Sequence, residues 1–354
     1  MKPKPGSSIF RKENTMAKYR TFTPQLLLVS ALLLAAGCIT GSREPDWVSN
    51  PKNVYPDSEY LSAVGAGDTR RSAENAAAAS LARIFESHIE SDERLLDQTF
   101  ETQSSFDRTT RFSSDINILS SQTLYNIQFA EAWKDNLGRY HAVAYLNRRD
   151  TAEIYRDKIK EQTARVNFLR ASAEQTGQIL KKYATLRTAS RHALEADNLL
   201  RQLQVIHPRS VPEVTPSYSL NQLRKALADT AKEIKVQINV KGDEKNRMKA
   251  TLQEFITQYG FVIGKPAVLD IEAHIEVDDT GEREQGLIFV RYEMLLQITD
   301  PAGNGVVTVR DKGREAHKTM EQARTRSFRT LESSIRANGA QRLDLYFDSL
   351  IDQQ

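Results

Sequence analysis

Residues 269–277 read Leu-Asp-Ile-Glu-Ala-His-Ile-Glu-Val, a strict alternation of apolar and polar side chains. Successive side chains of a β-strand point to opposite faces, so this alternation predicts a strand with one buried and one solvated face. The same pattern occurs at 234–240 and 290–298, and a shorter apolar stretch at 306–310 follows a turn rich in Gly, Pro and Asn. These four segments predict one sheet that is solvated on one side and covered on the other.

Helical segments lie around these strands. Gly242 and Asp243 open a segment with apolar residues on one side, and Gly260 stands where a helix C-cap belongs. A final helix is predicted from about Thr319, because apolar residues recur at helical spacing after it. We therefore predict an α+β domain of two layers at 219–354, with the order β-α-β-β-β-α.

Residues 150–206 carry apolar side chains at helical spacing, with a break near Gly177, and predict an αα-hairpin. Its second half has the closely spaced alanines of a tetratricopeptide-like pair. A single pair is not a repeat array, so a plain helical connector is the simpler interpretation. The segment 207–218 contains three prolines and predicts a linker between domains. Ser219 with Gln222 is typical of a capping box that starts the next helix.

The first domain is predicted at 51–149 with the order β-α-β-β. Its predicted elements are the strand Tyr60–Gly67, the alanine-rich helix Thr69–Ile89, and the strands Leu124–Trp133 and Tyr140–Leu146. Asp68 is a suitable N-cap for the helix. The segment 90–123 is rich in Ser, Thr, Asp and Gln, and its composition fits either an extended ribbon or a loop.

An apolar run near the N-terminus has the features of an export signal. The run, Leu26–Ala36, is shorter than the ~20 residues that a transmembrane helix needs. Lys18 and Arg20 precede it, as the basic region of a secretory signal does. Met16 stands just before this region, so Met16 is an alternative to Met1 as the start of translation.

Residues 35–38 read Ala-Ala-Gly-Cys and resemble the lipobox of bacterial lipoprotein precursors. Ala35 occupies the position that is usually Leu in that motif. The resemblance implies that residues 1–37 are a signal peptide cleaved after Gly37, and that Cys38 carries a diacylglyceryl thioether and an N-acyl chain such as palmitate. Two or more acyl chains anchor a protein stably, whereas one gives marginal binding. The alternative is a secreted protein in which Cys38 is an ordinary thiol.

The charge of the chain changes when the signal is removed. The whole sequence has 49 Lys and Arg against 46 Asp and Glu, a net charge of +3. Residues 1–37 contain six basic residues and one acidic residue, so the mature part has 43 basic and 45 acidic residues, a net charge of −2. This balance gives no support for nucleic-acid binding, which needs a concentrated basic face. Cys38 is the only cysteine, so the fold has no internal disulfide and depends on apolar burial.

The sequence carries no recognised catalytic constellation. Gly65-Ala-Gly67 is part of a dinucleotide-binding fingerprint, but Arg70 stands where the third glycine is required, and a tight strand-to-helix turn is the simpler interpretation. There is no Gly-x-Ser-x-Gly elbow and no His-Glu-x-x-His. We therefore expect no enzyme, no cofactor and no small-molecule substrate.

Three groups of residues allow a binding role but have simpler explanations. His274 shares a strand face with Glu272 and Glu276, where a solvated sheet face is more plausible than a cation site. Trp47 and Trp133 fit core packing better than a ligand platform. The third group is an acidic loop of Asp278, Asp279, Glu282 and Glu284. Its spacing is not that of an ordered calcium loop, so we expect no metal site.

The first domain resembles the Lpp-twenty family of bacterial membrane-associated lipoproteins. The residues that carry the resemblance are Pro45-Asp-Trp47, Tyr60–Gly67, the helix from Ala73, and Ala132–Val143. The resemblance implies a membrane-associated domain without implying a reaction. The domain is also similar to the N-terminal part of a flagellar ring protein. The C-terminal order is topologically similar to periplasmic modules of envelope-assembly lipoproteins, namely the lipopolysaccharide-transport plug and the penicillin-binding-protein activators, which by itself implies no function.

We expect the mature chain to be a non-catalytic envelope lipoprotein that holds or recruits other envelope proteins, with 38–50 as a short tether. Ile39 rather than Asp follows the cysteine, so the common sorting rule predicts the outer membrane, facing the periplasm. One alternative is an accessory subunit of a transport, secretion or flagellar-type ring assembly, which an exposed apolar patch on the C-terminal sheet would favour. A cell-wall or lipid enzyme is a third interpretation.

Overall fold

The computed structural model describes residues 44–100 and 124–351, without the side chains of 89–100. The predicted signal peptide, Cys38, the first part of the predicted tether and residues 101–123 lie outside the described residues. Pro45–Gln354 belongs to one compact unit. Its helices and strands form two separate sheets, which confirms the α+β class.

Among the described residues, the first sheet contains four strands and is covered by one long helix. The elements are helix α1 (Asp46–Ser49), a 3-10 turn (Pro51–Asn53), strand β1 (Tyr60–Gly67), helix α2 (Arg70–Phe100), and strands β2 (Gln128–Phe129), β3 (Trp133–Lys134) and β4 (Tyr140–Asn147). Strands β1 and β4 pair antiparallel along their whole length, and β2 and β3 both pair with β4. Ala77, Leu81 and Phe85 of α2 are buried in the core of this sheet.

Gly65 allows α2 to lie very close to β1. A Cβ atom at this position would lie 2.1 Å from the backbone nitrogen of Ala77 and 2.6 Å from the carbonyl oxygen of Ala73. Only a residue without a side chain fits such a contact with backbone atoms. The glycine is thus explained by strand–helix packing. The predicted tight turn at Gly65-Ala-Gly67 is wrong, because these residues belong to strand β1.

Helix α2 differs from the prediction at both ends. The hydroxyl of Thr69 accepts the amide hydrogen of Ser72 at 3.1 Å, so the cap is Thr69 and the prediction of Asp68 is wrong. The helix continues to Phe100, beyond the predicted end at Ile89. The intervening residues contain neither Gly nor Pro, and a polar composition alone does not end a helix.

The predicted continuous strand Leu124–Trp133 is wrong. Only the two-residue strands β2 and β3 form here, in registers with β4 that differ by one residue. Asn126 has a φ of +62°, in the left-handed region that an extended strand does not contain. The sequence of this segment does alternate, but its backbone does not stay extended in one register, so no continuous strand forms.

Helices α3 (Arg148–Gln175) and α4 (Ile179–Ile206) pack against each other and confirm the predicted hairpin. The Asn147 side chain accepts the amide hydrogen of Asp150 and caps α3. Thr176, the C-cap of α3, has an extended backbone, which ends the helix next to the predicted break.

The segment 207–218, predicted as a linker, is ordered and packed. It contains a 3-10 turn (Pro208–Ser210) and helix α5 (Val211–Val214). Ser210 and Val214 are buried, and Val214 belongs to the core of the first sheet. Proline needs no amide donor in a first helical turn, so a proline-rich sequence can form such short helices.

The second sheet is formed by the C-terminal residues. The elements are helix α6 (Leu220–Glu233), strand β5 (Lys235–Lys241), helix α7 (Arg247–Thr257), strands β6 (Val262–Ile263), β7 (Leu269–Glu284), β8 (Leu287–Thr299) and β9 (Gly305–His317), helix α8 (Met320–Ser334), a π-turn (Ile335–Gly339) and helix α9 (Ala340–Ser349). The strand order is β6-β5-β7-β8-β9, with β5 parallel to β6 and β7 and the other pairs antiparallel. The predicted order lacked the short strand β6 and the interruption of the last helix.

Local signals at two C-terminal helices agree with the sequence. The Ser219 hydroxyl accepts the amide hydrogen of Gln222 at 3.4 Å, which confirms the predicted cap of α6. The carboxylate of Asp243 accepts the amide hydrogens of Met248 and Lys249, each at 3.0 Å, in the first turn of α7. The helix itself begins a few residues later than the sequence predicted.

Helix α4 contributes to the cores of both sheets. Tyr183 and Leu186, near its start, are buried in the core of the C-terminal sheet. Leu203 and Ile206, near its end, are buried in the core of the first sheet. The helical hairpin therefore joins the two sheets through apolar burial along one helix.

Arg148 forms hydrogen bonds that connect the first sheet to the helical hairpin. Its Nε donates to the carbonyl oxygens of Asp57 at 2.8 Å and Tyr60 at 3.3 Å. Its Nη1 donates to the carbonyl oxygens of Val205 at 2.7 Å and Ile206 at 2.8 Å, in the last turn of α4. Burial lowers the pKa of this guanidinium, which nevertheless stays charged at neutral pH.

Candidate interaction surface

The solvated face of the C-terminal sheet is charged and exposed. On β7 we define an acidic strip of Glu272, Glu276 and Asp278, and on β9 a basic strip of Arg310, Lys312 and Arg314. The members of each strip are two or four residues apart, so their side chains share one face. Strand β8 lies between the two strips. This face is solvated, as the alternation predicted. The acidic strip and the basic strip lie on different strands, so negative and positive charges are on opposite sides of β8.

The register of β8 brings like and unlike charges together. Glu293 lies opposite Glu276 on one side and opposite Lys312 on the other. Acidic residues directly opposite each other destabilise a strand pair. In the part of the chain that the structure describes, neither Glu293 nor Lys312 makes an ion pair. These charges are therefore available to a partner.

The tip of the β7–β8 hairpin reaches across to β9. The register shifts between Asp279 and Arg283, and these two residues form an ion pair at 2.7 Å. Glu282 pairs with Arg314 of β9 at 2.5 Å. Hydrogen bonds from Arg283 and a backbone amide lower the pKa of Asp279 to about 2. The acidic loop considered as a calcium site thus has two of its carboxylates paired with arginines.

A cavity of about 810 Å³ lies beside this hairpin tip. Its lining residues are Asp278, Asp279, Thr280, Glu282, Arg291, Tyr292, Glu293, Lys312, Gly313 and Arg314. Small-molecule sites are lined mainly by apolar groups with a few polar ones. This cavity is lined mostly by charged residues of both signs, and it suits a charged polypeptide segment better than a small apolar ligand.

Gly313 allows an aromatic ring to lie beneath the basic strip. A Cβ atom at Gly313 would lie 2.4 Å from the hydroxyl oxygen of Tyr292, which occupies the opposite position on β8. Burial raises the pKa of Tyr292, and the charges of Asp311 and Glu315 add to the effect, so its hydroxyl stays protonated. Gly313 therefore lies between Lys312 and Arg314 of the basic strip, and a larger residue at this position would displace the ring of Tyr292.

A second polar group lies in the first sheet. His141 Nε2 lies 3.0 Å from a carboxylate oxygen of Asp135, whose other oxygen accepts the amide hydrogens of Leu137 and Arg139, each at 2.9 Å. The hydrogen bond with His141 is the largest cause that lowers the pKa of Asp135 to about 2. The rings of Trp133 and His141 lie 5.4 Å apart. This group stabilises the turn between β3 and β4.

The remaining sequence candidates do not converge on a site. His274 is exposed and lies 3.2 Å from Glu276. Trp47 and Trp133 are half-buried rather than core residues. Among the described side chains, those of residues 44–88 and 124–351, no three of His, Cys, Asp or Glu are grouped closely enough to hold a metal ion. The basic strip was not singled out from the sequence, although its alternating Arg-x-Lys-x-Arg pattern is visible there.

Residues 45–147 match the LPP20 lipoprotein family, which confirms the resemblance seen in the sequence. This segment, which contains the first sheet and helix α2, is similar to the LPP20 lipoproteins. No curated protein is significantly similar to the chain. A secreted protein from Helicobacter pylori is 15% identical, with a TM-score of 0.40, over 83% of this chain and 99% of that chain. A minor lipoprotein from Acinetobacter baumannii is 12% identical, with a TM-score of 0.23, over 32% of this chain and 93% of that chain.

Among the helices that the structure describes, none combines the length and the apolar character needed to cross a bilayer.

Proposed function

We propose that the chain is a non-catalytic lipoprotein of the cell envelope that holds or recruits other envelope proteins. The observation that carries this proposal is the position of the LPP20 domain, which begins at Pro45, directly after the lipobox-like segment ending at Cys38. An export signal, an acylatable cysteine and a lipoprotein domain follow one another in the order that a lipoprotein precursor requires.

The proposed anchor is Cys38, made N-terminal by cleavage after Gly37. Its diacylglyceryl group and its N-acyl chain together supply more than the single chain that binds only marginally. Ile39 follows the cysteine and supports sorting to the outer membrane, with the body of the protein in the periplasm. The short distance from Cys38 to Pro45 would hold the LPP20 domain near the lipid surface.

The absence of catalysis is proposed because the polar groups have structural or surface roles. Asp135 and His141 belong to a hairpin turn, and Asp279 and Glu282 are paired with arginines at the hairpin tip. The charged face of the C-terminal sheet supports a role in protein binding. This face is charged rather than apolar, so it gives no support for an apolar plug in a transport, secretion or flagellar-type ring assembly.

Metabolic labelling tests the proposed anchor. Cells that express the full chain are supplied with an alkyne-bearing palmitate, and the membranes are separated on a density gradient. We expect label in the outer-membrane fraction, loss of label in Cys38→Ala, and full label in the neighbouring control Ile39→Ala. Mass spectrometry of the N-terminal peptide should show acylated Cys38. A water-soluble protein with a free Cys38 thiol, or one that retains residues 26–37, would refute the proposal.

A further inference from the structure

We propose that β9 binds an extended acidic segment of a partner protein as an additional strand of the C-terminal sheet. This inference rests on the proposed recruiting role and names the surface and the chemistry of the partner. The partner segment would carry acidic residues at alternate positions, facing the basic strip.

Strand β9 lies at the edge of the C-terminal sheet. It is the last strand in the order β6-β5-β7-β8-β9 and has 13 residues. Apart from a bulge at its start, it pairs with β8 in one continuous register. No strand among the described residues pairs with its other side. An edge strand leaves roughly half of its backbone donors and acceptors directed away from the sheet. Strand addition uses those groups and is a recurrent way of binding extended peptides.

The basic strip gives one face of β9 a positive charge. Arg310, Lys312 and Arg314 are exposed on the same face, and within the described ranges Arg310 and Lys312 make no ion pair. Alternate residues of a strand are about 6.8 Å apart, so glutamates at every second position of an added strand would each lie beside one cation. Opposite charges across a strand pair are stabilising.

The other face of β9 lies on the side of the helices. Val307 and Val309 are buried under the helices, whereas Asp311 and Glu315 are only partly buried. Acidic residues of the added strand are therefore unfavourable on this helix side. The preferred partner sequence alternates acidic residues with uncharged residues such as Val.

The charge pattern also argues against a second copy of the chain as the occupant. Two β9 strands paired antiparallel about a two-fold axis keep the residues of each face together. With Lys312 opposite its symmetry mate, Arg310 would face Arg314, so three cations of each copy would oppose three of the other. Like charges directly opposite one another destabilise a strand pair. A partner of opposite charge avoids this repulsion.

Peptide binding to the full chain, purified in detergent, tests the inference. The probe is a fluorescein-labelled, end-capped octapeptide of alternating Glu and Val, and the control peptides are alternating Lys and Val and a block peptide of four Glu and four Val. We expect the alternating acidic peptide to bind more tightly than both controls, and more weakly as salt is raised.

Two exposed lysines provide matched variants. Lys312→Glu should weaken binding by at least about tenfold, because it places like charges together. Lys241→Glu reverses the same charge on the same face at strand β5, away from β9, and should change binding less than twofold. Equal binding by both variants would overturn the inference.

Hydrogen exchange separates strand addition from simple charge attraction. Bound peptide should slow exchange of the outward-directed amides of β9, since those amides become hydrogen-bonded. Binding without protection of β9, equal binding of the Lys peptide, no binding, or association of two differently tagged copies through β9 would each refute the inference. Acylation of Cys38 is measured in a separate experiment. The anchor proposal can therefore hold when strand addition at β9 fails, and strand addition can hold when the anchor proposal fails.

Discussion

Replacement of Arg148 by methionine tests how the first sheet is joined to the helical hairpin. Methionine keeps most of the aliphatic stem and removes the four hydrogen bonds that the guanidinium donates to main-chain carbonyls. Two of those carbonyls, of Val205 and Ile206, belong to the last turn of α4, where no helical amide can satisfy them.

The expected loss follows from the number and the setting of these bonds. A hydrogen bond to a charged group contributes about 1.5–3 kcal/mol when removed singly. Arg148 is only half-buried, so water can replace part of what is lost. We therefore expect Arg148→Met to lower the free energy of unfolding by about 3 kcal/mol. Arg148→Lys should recover only part of this loss, because a compact ammonium cannot span both pairs of carbonyls.

Arg149 offers a matched control, because it is adjacent and exposed. Arg149→Met should change the free energy of unfolding by less than about 0.5 kcal/mol. Urea unfolding followed by circular dichroism gives both values, and hydrogen exchange should report faster opening at Val205 and Ile206 in Arg148→Met only. Equal stability of the two methionine variants would show that these carbonyl contacts do not hold the junction.

Three further predictions concern local packing, caps and pH. Gly65→Ala should lower the free energy of unfolding by about 3 kcal/mol or more in the same assay, because its Cβ would meet the backbone of Ala77. Gly177→Ala is the control and should be nearly neutral, because a Cβ at Gly177 meets nothing within 4 Å. Ser219→Ala should cost about 1 kcal/mol through loss of the α6 cap, and an unchanged urea midpoint would contradict that role. The folded pKa of Asp135, about 2, lies below its ordinary 3.8, so its stabilising effect is complete above that ordinary value and is lost as the pH falls toward 2. An NMR titration of the carboxyl that gives an ordinary pKa would refute this last expectation.

The elements that the sequence predicted best are those with regular periodicity and clear boundaries. The strands at 269–277 and 290–298 were recognised because every second residue is apolar, and the hairpin break was recognised from Gly177 in an otherwise helical pattern. The segment Leu124–Trp133 also alternates, but a left-handed Asn126 and a register shift interrupt it. Periodicity describes side chains and cannot reveal such backbone changes.

The functional surface was less predictable, because it depends on pairing between distant strands. The acidic residues of β7 and the basic residues of β9 each look like an ordinary solvated strand face in sequence. Only the register of β8 shows that Glu293 lies between Glu276 and Lys312. The role of Arg148 was equally hard to predict. Its partners are main-chain carbonyls of two distant segments, and such contacts do not depend on the side chains of those segments.

The segment that matches the LPP20 family ends at residue 147, but burial does not end there. Tyr155, Ile159 and Leu203, which belong to the hairpin, are fully buried against the same sheet. The unit defined by family resemblance is therefore smaller than the unit that can exclude water. A polypeptide that carried only the matched segment would leave this apolar side exposed to water. It would need an equivalent helical layer, from its own chain or from another polypeptide, before it could form a stable body.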